Sequence, residues 1–182
     1  MFPQINIVSE LCKDGTLFDL LVRFGAKGLN ESQTVHILKD ICRGLLHMHS
    51  QNPPIAHRDI KIENVLLSDK KFKLCDFGSA SSQTLIPDQS QSFDIFASDP
   101  HSANIDQAFE DFERFTTMMY RPPEMIDKYM KWNVTTKVDI WMLGCVAYTL
   151  CYATHPFQEA QKLAIVNANY HFPPDKPVSV KL

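Results

Sequence analysis

Between Ala56 and Ala80 the chain reads AHRDIKIENVLLSDKKFKLCDFGSA, a run that holds Asp59, Lys61, Asn64 and Asp76. These residue types at this spacing suit phosphoryl transfer. Moving a γ-phosphoryl group needs a carboxylate to orient the attacking hydroxyl, oxygen ligands for Mg2+, and cations to offset phosphate charge. Asp59 would accept the hydroxyl proton, and Lys61 would lie beside the transferring phosphate. Asn64, five residues after Asp59, would turn its amide oxygen toward a metal. Asp76 offers a second hard oxygen ligand, and Gly78 is expected to let the backbone turn sharply beside it. Each triplet alone is weak; the two in this order, joined by a hairpin, make a specific signal.

The elements that must position these residues are legible in the surrounding pattern. Val65-Leu66-Leu67 and Phe72-Lys73-Leu74 flank the polar turn Ser68 to Lys71, which predicts a hairpin that folds Asp76 back next to Asn64. Upstream, the β-branched run Ile5-Asn6-Ile7-Val8 reads as a strand, and Lys13-Asp14-Gly15 as a turn. Thr16 then caps a helix through Phe18, Leu20, Leu21 and Phe24. Asn30 and Gln33 form a capping box that opens a longer helix. Its expected inner face is Val35, Leu38, Ile41, Cys42, Leu45 and Leu46, and Pro53-Pro54 ends it. His47 and His49 on that helix are expected at the surface.

From Ser81 to about Asn104 the chain is rich in Ser, Gln and Asp, with Pro87 and Pro100, and reads as a long loop. Its hydroxyl residues either take phosphate, with Arg58 as the waiting partner, or serve solubility. Ile105, Phe109 and Phe112 then share one helical face, with Asn104 and Gln107 as its capping box. Thr135 or Thr136 caps the apolar helix holding Val138, Trp141 and Val146. The tail from Phe172 to Leu182 carries three prolines.

Composition narrows the class. The 182 residues suffice for one domain, and 45% hydrophobic with 21% charged residues is ordinary for a globular chain. A formal net charge of −3 gives no sign of a nucleic-acid or anionic-membrane surface, and Lys70, Lys71 and Lys73 read as a solvated turn. Cys12, Cys42, Cys75, Cys145 and Cys151 form no CxxC pair and no zinc spacing, which fits buried thiols in a reducing compartment. Met1 to Val8 lacks a secretory pattern. The longest apolar run, Ile140 to Tyr152, is too short to span a bilayer. A cytoplasmic location is expected.

These motifs together resemble the eukaryotic protein kinase family. HRDIKIEN is similar to its catalytic loop, with Lys61 the mark of serine/threonine specificity, and Asp76-Phe77-Gly78 to the metal-binding start of the activation segment. Tyr120-Arg121-Pro122-Pro123-Glu124 resembles the A-P-E end of that segment, with Pro122 in place of Ala. Asp139-Ile140-Trp141-Met142-Leu143-Gly144 resembles the D-x-W-x-x-G helix beneath the catalytic loop. The resemblance implies that Asp139 holds the His57-Arg58 backbone in a structural role. It also implies that His57 stacks with Phe77 in a regulatory spine, and that Thr117 bonds the catalytic Asp and lines the substrate cleft. ATP and Mg2+ are the implied cofactors.

Within kinases the chain resembles the Numb-associated family of adaptor-associated, cyclin-G-associated and actin-regulating kinases. HRDIKIEN, KLCDFGSA, the run from Thr116 to Asp127 and TTKVDIWMLGC carry that likeness. The family inserts a helix late in the activation segment, where Ile105 to Phe115 shows its helical face. Ser9-Glu10-Leu11-Cys12 matches the gatekeeper and hinge, so the Glu10 carbonyl and Cys12 amide would face adenine, with Leu66 packed under the ring. Protein substrates are implied, among them clathrin-adaptor and endocytic proteins.

The expected fold class is α+β, mainly α: a kinase-like large (C-terminal) lobe with hinge, the small N-terminal lobe missing and the final helices truncated. Residues 1–15 would supply the last small-lobe strand and hinge, and residues 16–182 the large lobe, with the activation segment at 76–124. No G-x-G-x-x-G loop or V-A-I-K lysine is found, and the arginine expected to pair with Glu124 is absent. A longer parent protein, or an incomplete gene model, is the expected functional unit, with little activity in this chain alone. The rival reading is a non-catalytic, pseudokinase-like binding module; intact Asp59, Lys61, Asn64 and Asp76 weigh against it.

Overall fold

Thr16 opens the first helix, α1 (Leu17–Phe24), by a complete capping box: its hydroxyl accepts from Asp19 N while the Asp19 carboxylate accepts from Thr16 N. The computed structural model describes residues 6, 8–25, 29–86, 100–158 and 162–174, with side chains 100–104 excepted. The turn before α1 needs Gly15, whose φ is +86° and whose carbonyl accepts from Leu67 N at 2.8 Å. Of the strand expected at Ile5–Val8, Ile5 and Ile7 lie outside the described residues; Asn6 and Val8 are irregular, and Val8 is exposed. Leu17 and Leu21 bury, whereas Phe18 and Phe24 face outward.

Helix α2 (Glu31–His49) begins with the expected Asn30–Gln33 capping box and ends before the prolines, at a cap on Ser50. Its buried stripe is Thr34, Ile37, Ile41, Leu45 and Met48. The expected face was therefore rotated: Cys42 and Leu46 are exposed, and Leu46 shows 69% of its surface. Two apolar stripes compete on this helix. The one that buries is the one that meets the hairpin and the apolar helix α4 described below.

The hairpin is β1 (Val65–Ser68) paired antiparallel with β2 (Lys71–Leu74), in register Val65↔Leu74 to Ser68↔Lys71. Asp69 and Lys70 make its two-residue turn with φ of 51° and 63°, the positive angles that match strand twist. Helix α3 spans Pro100–Phe115. Asn104 lies inside it, so the expected Asn104–Gln107 cap is not its start; the helix already runs from Pro100. The part of the long loop at 87–99 lies outside the described residues, as does the tail beyond residue 174.

Helix α4 (Lys137–Tyr152) is apolar almost all round and runs through the core, burying Val138, Met142, Cys145, Val146 and Leu150. Thr136 holds the cap position without a side-chain bond, while Thr135 Oγ1 accepts from Lys137 N at 3.2 Å. Helix α5 (Lys162–Val166) adds Ile165 to the same core. The described architecture is helical with one two-stranded sheet. Among the described residues no helix is long and apolar enough to cross a membrane.

Candidate active site

Asp59 is the centre of the site. Its carboxylate is nearly buried and takes bonds on both oxygens. Thr117 donates to Oδ1 from both its amide (3.1 Å) and its hydroxyl (3.0 Å). Oδ2 receives Asn64 Nδ2 at 2.9 Å and lies 2.8 Å from Lys61 Nζ. Lys61 also donates to Thr117 Oγ1 at 2.9 Å. Asp59, Lys61, Asn64 and Thr117 are thus brought together as one constellation. A carboxylate fixed by two donors on one oxygen keeps a single orientation, which is what a proton-accepting base requires.

The loop that carries Asp59 is tied down from below by α4. The Asp139 carboxylate is fully buried and accepts from His57 N and Arg58 N, both at 2.8 Å. A third contact was not expected from sequence: His49 Nε2 lies 2.7 Å from Asp139 Oδ2. His49 is therefore not a surface residue; its side chain is 18% exposed, and it faces a carboxylate that burial leaves in need of donors. The signal that could have found it is its place on the last turn of α2, on the side of Met48 and Leu45. His47 is exposed, as expected.

His57 is completely buried, and burial depresses its imidazole pKa more than Asp139 and the Cys75 carbonyl raise it. Its Nδ1 accepts from Asp59 N at 3.3 Å, which leaves Nε2–H to donate to Cys75 O at 3.0 Å. The ring meets Phe77 at 5.2 Å between centroids, tilted by 52° rather than stacked. Arg58, at φ 67°, lies 5.6 Å over the Phe112 ring and donates to Gln83 O at 2.6 Å.

The second half of the site is the turn after β2. Cys75 N donates to Asn64 O at 3.0 Å, so the hairpin sets Asp76 beside Asn64 in the backbone. The strained residue of this turn is Asp76, at φ 61° and ψ 74°, and not Gly78 as expected. Gly78 matters for space: a Cβ there would stand 3.2 Å from Asp76 Oδ1, the atom that accepts Gly78 N. Asn64 Nδ2 is spent on Asp59, on its carbonyl and its Oδ2, and the amide oxygen has no hydrogen-bond partner among the described residues. Asp76 is exposed. Two hard oxygens at one hairpin end fit Mg2+, which keeps water and phosphate as its other ligands. No group of three His, Cys, Asp or Glu side chains placed to hold a metal ion occurs among the described residues.

The remaining expected residues lie apart from Asp59 in the hydrogen-bond network. Glu10 is exposed and its carboxylate pairs with Lys73, which lowers its pKa, while Cys12 is half-buried. Leu66 is half-buried and bridges to Thr16, directly after the turn that follows them. Glu124 is partly buried without an ion pair among the described residues, and burial raises its pKa. One residue inside a quoted motif was given no role from sequence: Arg121 is buried and donates Nε to Thr116 Oγ1 at 2.7 Å.

Comparison with known proteins matches residues 2–174 to a model described as the protein kinase domain. Over 176 residues the chain is 36% identical to a probable serine/threonine-protein kinase of Dictyostelium discoideum, covering 94% of this chain and 15% of that protein. A second probable serine/threonine-protein kinase of that organism is 36% identical over 182 residues, 97% of this chain and 21% of its own length. Serine/threonine-protein kinase ppk30 of Schizosaccharomyces pombe is 37% identical over 172 residues, 94% and 17% respectively. The chain thus spans about a fifth or less of the length of these relatives.

Proposed function

The chain belongs to the protein kinase domain family, with serine/threonine kinases among its relatives, and from that premise we propose that it provides the phosphate-transferring centre of a protein kinase. The reaction is transfer of the ATP γ-phosphoryl group to serine or threonine hydroxyls of proteins. The observation that carries this reading is the Asp59 carboxylate held by Thr117, Asn64 and Lys61 together.

In this reading Asp59 orients the substrate hydroxyl and takes its proton. Thr117 and Asn64 fix the carboxylate, so little reorganisation is needed as the hydroxyl approaches. Lys61 shares its charge between Asp59 and the space where phosphate charge develops. Asn64 and Asp76 would hold Mg2+, which when bound supplies charge neutralisation for the phosphates. The Glu10 carbonyl, the Cys12 amide and Leu66 would seat the adenine. Asp139, with His49, keeps the loop in register from below. Residues 1–15 would be the last small-lobe strand and hinge and 16–182 the large lobe, with 76–124 as activation segment and Glu124 closing it.

At finer grain the reading is a Numb-associated kinase acting in the cytoplasm on clathrin-adaptor or endocytic proteins. It is supported by the run TTMMYRPPEMID after α3 and by a helix standing late in the segment.

The test is transfer of labelled phosphate from Mg-ATP to a Ser/Thr/Tyr peptide library by the full-length protein. Label on Ser and Thr is expected, with a loss of about a thousandfold in Asp59→Asn and in Asp76→Asn. Undiminished transfer by Asp59→Asn would overturn the assignment.

A further inference from the structure

Arg121 is 5% exposed, yet among the described residues its guanidinium forms no ion pair. It is instead spent on neutral oxygens at one helix end. Nη2 donates to Thr116 O at 2.6 Å and to Glu113 O at 3.2 Å, and Nε donates to Thr116 Oγ1 at 2.7 Å. The last carbonyls of a helix lack intrahelical donors and carry partial negative charge, so a cation is favoured there. A second group caps the same turn from the opposite part of the site. Ser79, next to Gly78, donates Oγ to Phe115 O at 2.6 Å. Thr116 Oγ1 in turn donates to Phe112 O at 2.7 Å.

These contacts form one line. Arg121 holds Thr116, Thr116 leads directly to Thr117, and Thr117 grips Asp59 Oδ1 with amide and hydroxyl. Ser79 ties that helix end to the turn carrying Asp76. We propose that Arg121, with Ser79, is a positioning residue: through the C-terminal turn of α3 it sets the place of Thr117 and hence of Asp59. The catalytic part of this inference rests on the kinase reading above; the structural part does not. Arginine is required because its rigid fork reaches Thr116 by two nitrogens, which a lysine ammonium on a flexible stem does not reproduce. Burial disfavours the guanidinium charge and holds the Arg121 pKa below its ordinary value.

The experiment compares wild type, Arg121→Met, Arg121→Lys and Ser79→Ala in the full-length protein. Residue-resolved amide hydrogen exchange is read at Thr117 and, as a control, at Val146 and Leu150 in α4. Steady-state kinetics give kcat and the KM for ATP. Arg121→Met is expected to speed Thr117 exchange about tenfold or more while α4 is unchanged. It should lower kcat about 10- to 100-fold with the KM for ATP within about twofold. Arg121→Lys should recover only part of that loss. Where Arg121→Met fails to fold, Ser79→Ala keeps the charge and still should speed Thr117 exchange. Unchanged Thr117 protection, or equal acceleration at Thr117 and in α4, would overturn the proposal. A wild-type protein that transfers no phosphate sinks the kinase reading alone, since the exchange data decide the positioning.

Discussion

Asp139→Asn isolates the contact by which α4 holds the loop of Asp59. The carboxylate has no exposure and serves three donors: His57 N at 2.8 Å, Arg58 N at 2.8 Å and His49 Nε2 at 2.7 Å. Asparagine has the same shape but one acceptor oxygen. With that oxygen on Arg58 N, the new NH2 faces His57 N and His49. With the amide turned over, it faces Arg58 N. Either way at least one buried backbone donor loses its acceptor and meets another donor. Hydrogen bonds to a charged group are worth about 1.5–3 kcal/mol each, and an orphaned buried donor adds its desolvation penalty. The expected loss is about 3–5 kcal/mol, the range for breaking a buried charged contact.

For a chain of this size about 2–4 °C of Tm accompanies each kcal/mol, so Tm should fall by about 6–20 °C. Thermal unfolding followed by far-ultraviolet circular dichroism measures this, and amide exchange at His57 and Arg58 shows whether the loop is released. His49→Ala removes one bond and should lose about 1–2 kcal/mol, with a double mutant less than additive. A Tm for Asp139→Asn within about 2 °C of wild type, with both amides still protected, would show that this carboxylate does not hold the loop.

Other consequences follow from the same contacts. Burial drives the His155 pKa from its ordinary 6.5 to about 4, so the folded chain keeps this ring neutral while the unfolded chain takes a proton. Its contribution is complete above pH 6.5 and is lost as pH falls toward 4, on the order of 2 kcal/mol by about pH 5. His155→Asn, which keeps an acceptor for Phe157 N, should flatten the fall in Tm between about pH 7 and 5; an unaltered slope would count against this. Asn30→Ala deletes the α2 cap and should destabilise by about 1 kcal/mol in urea unfolding. Ile41→Ala empties a site only 1% exposed and should lose about 2–5 kcal/mol, while the same change at exposed Leu46 should stay within about 0.5 kcal/mol. Burial pushes the Cys145 thiol up to about 12, so a thiol reagent should label exposed Cys42 in the folded chain and Cys145 only on unfolding.

What the sequence determined by itself is local. Asp59, Lys61 and Asn64 meet because they share one short loop, and the hairpin returns Asp76 to Asn64 through a two-residue turn. The capping boxes at Thr16 and Asn30 are equally local, with each partner the third residue after its cap. Such features are set by i,i+3 hydrogen bonds and strand alternation, which need no distant neighbour. Thr117 and Asp139 entered the reading only through a family resemblance, because they reach their partners across 58 and 82 residues. His49, 90 residues from Asp139, offered only its place on the buried side of α2, and Arg121 carried no local signal of a role. The phase of α2 belongs here too: Cys42 and Leu46 are as apolar as their neighbours, and packing against β2 and α4 left them outside. A helix presents several apolar stripes, and a buried carboxylate takes whatever donors the fold brings; tertiary closure decides both, since burial is a property of neighbours and not of the chain that supplies them.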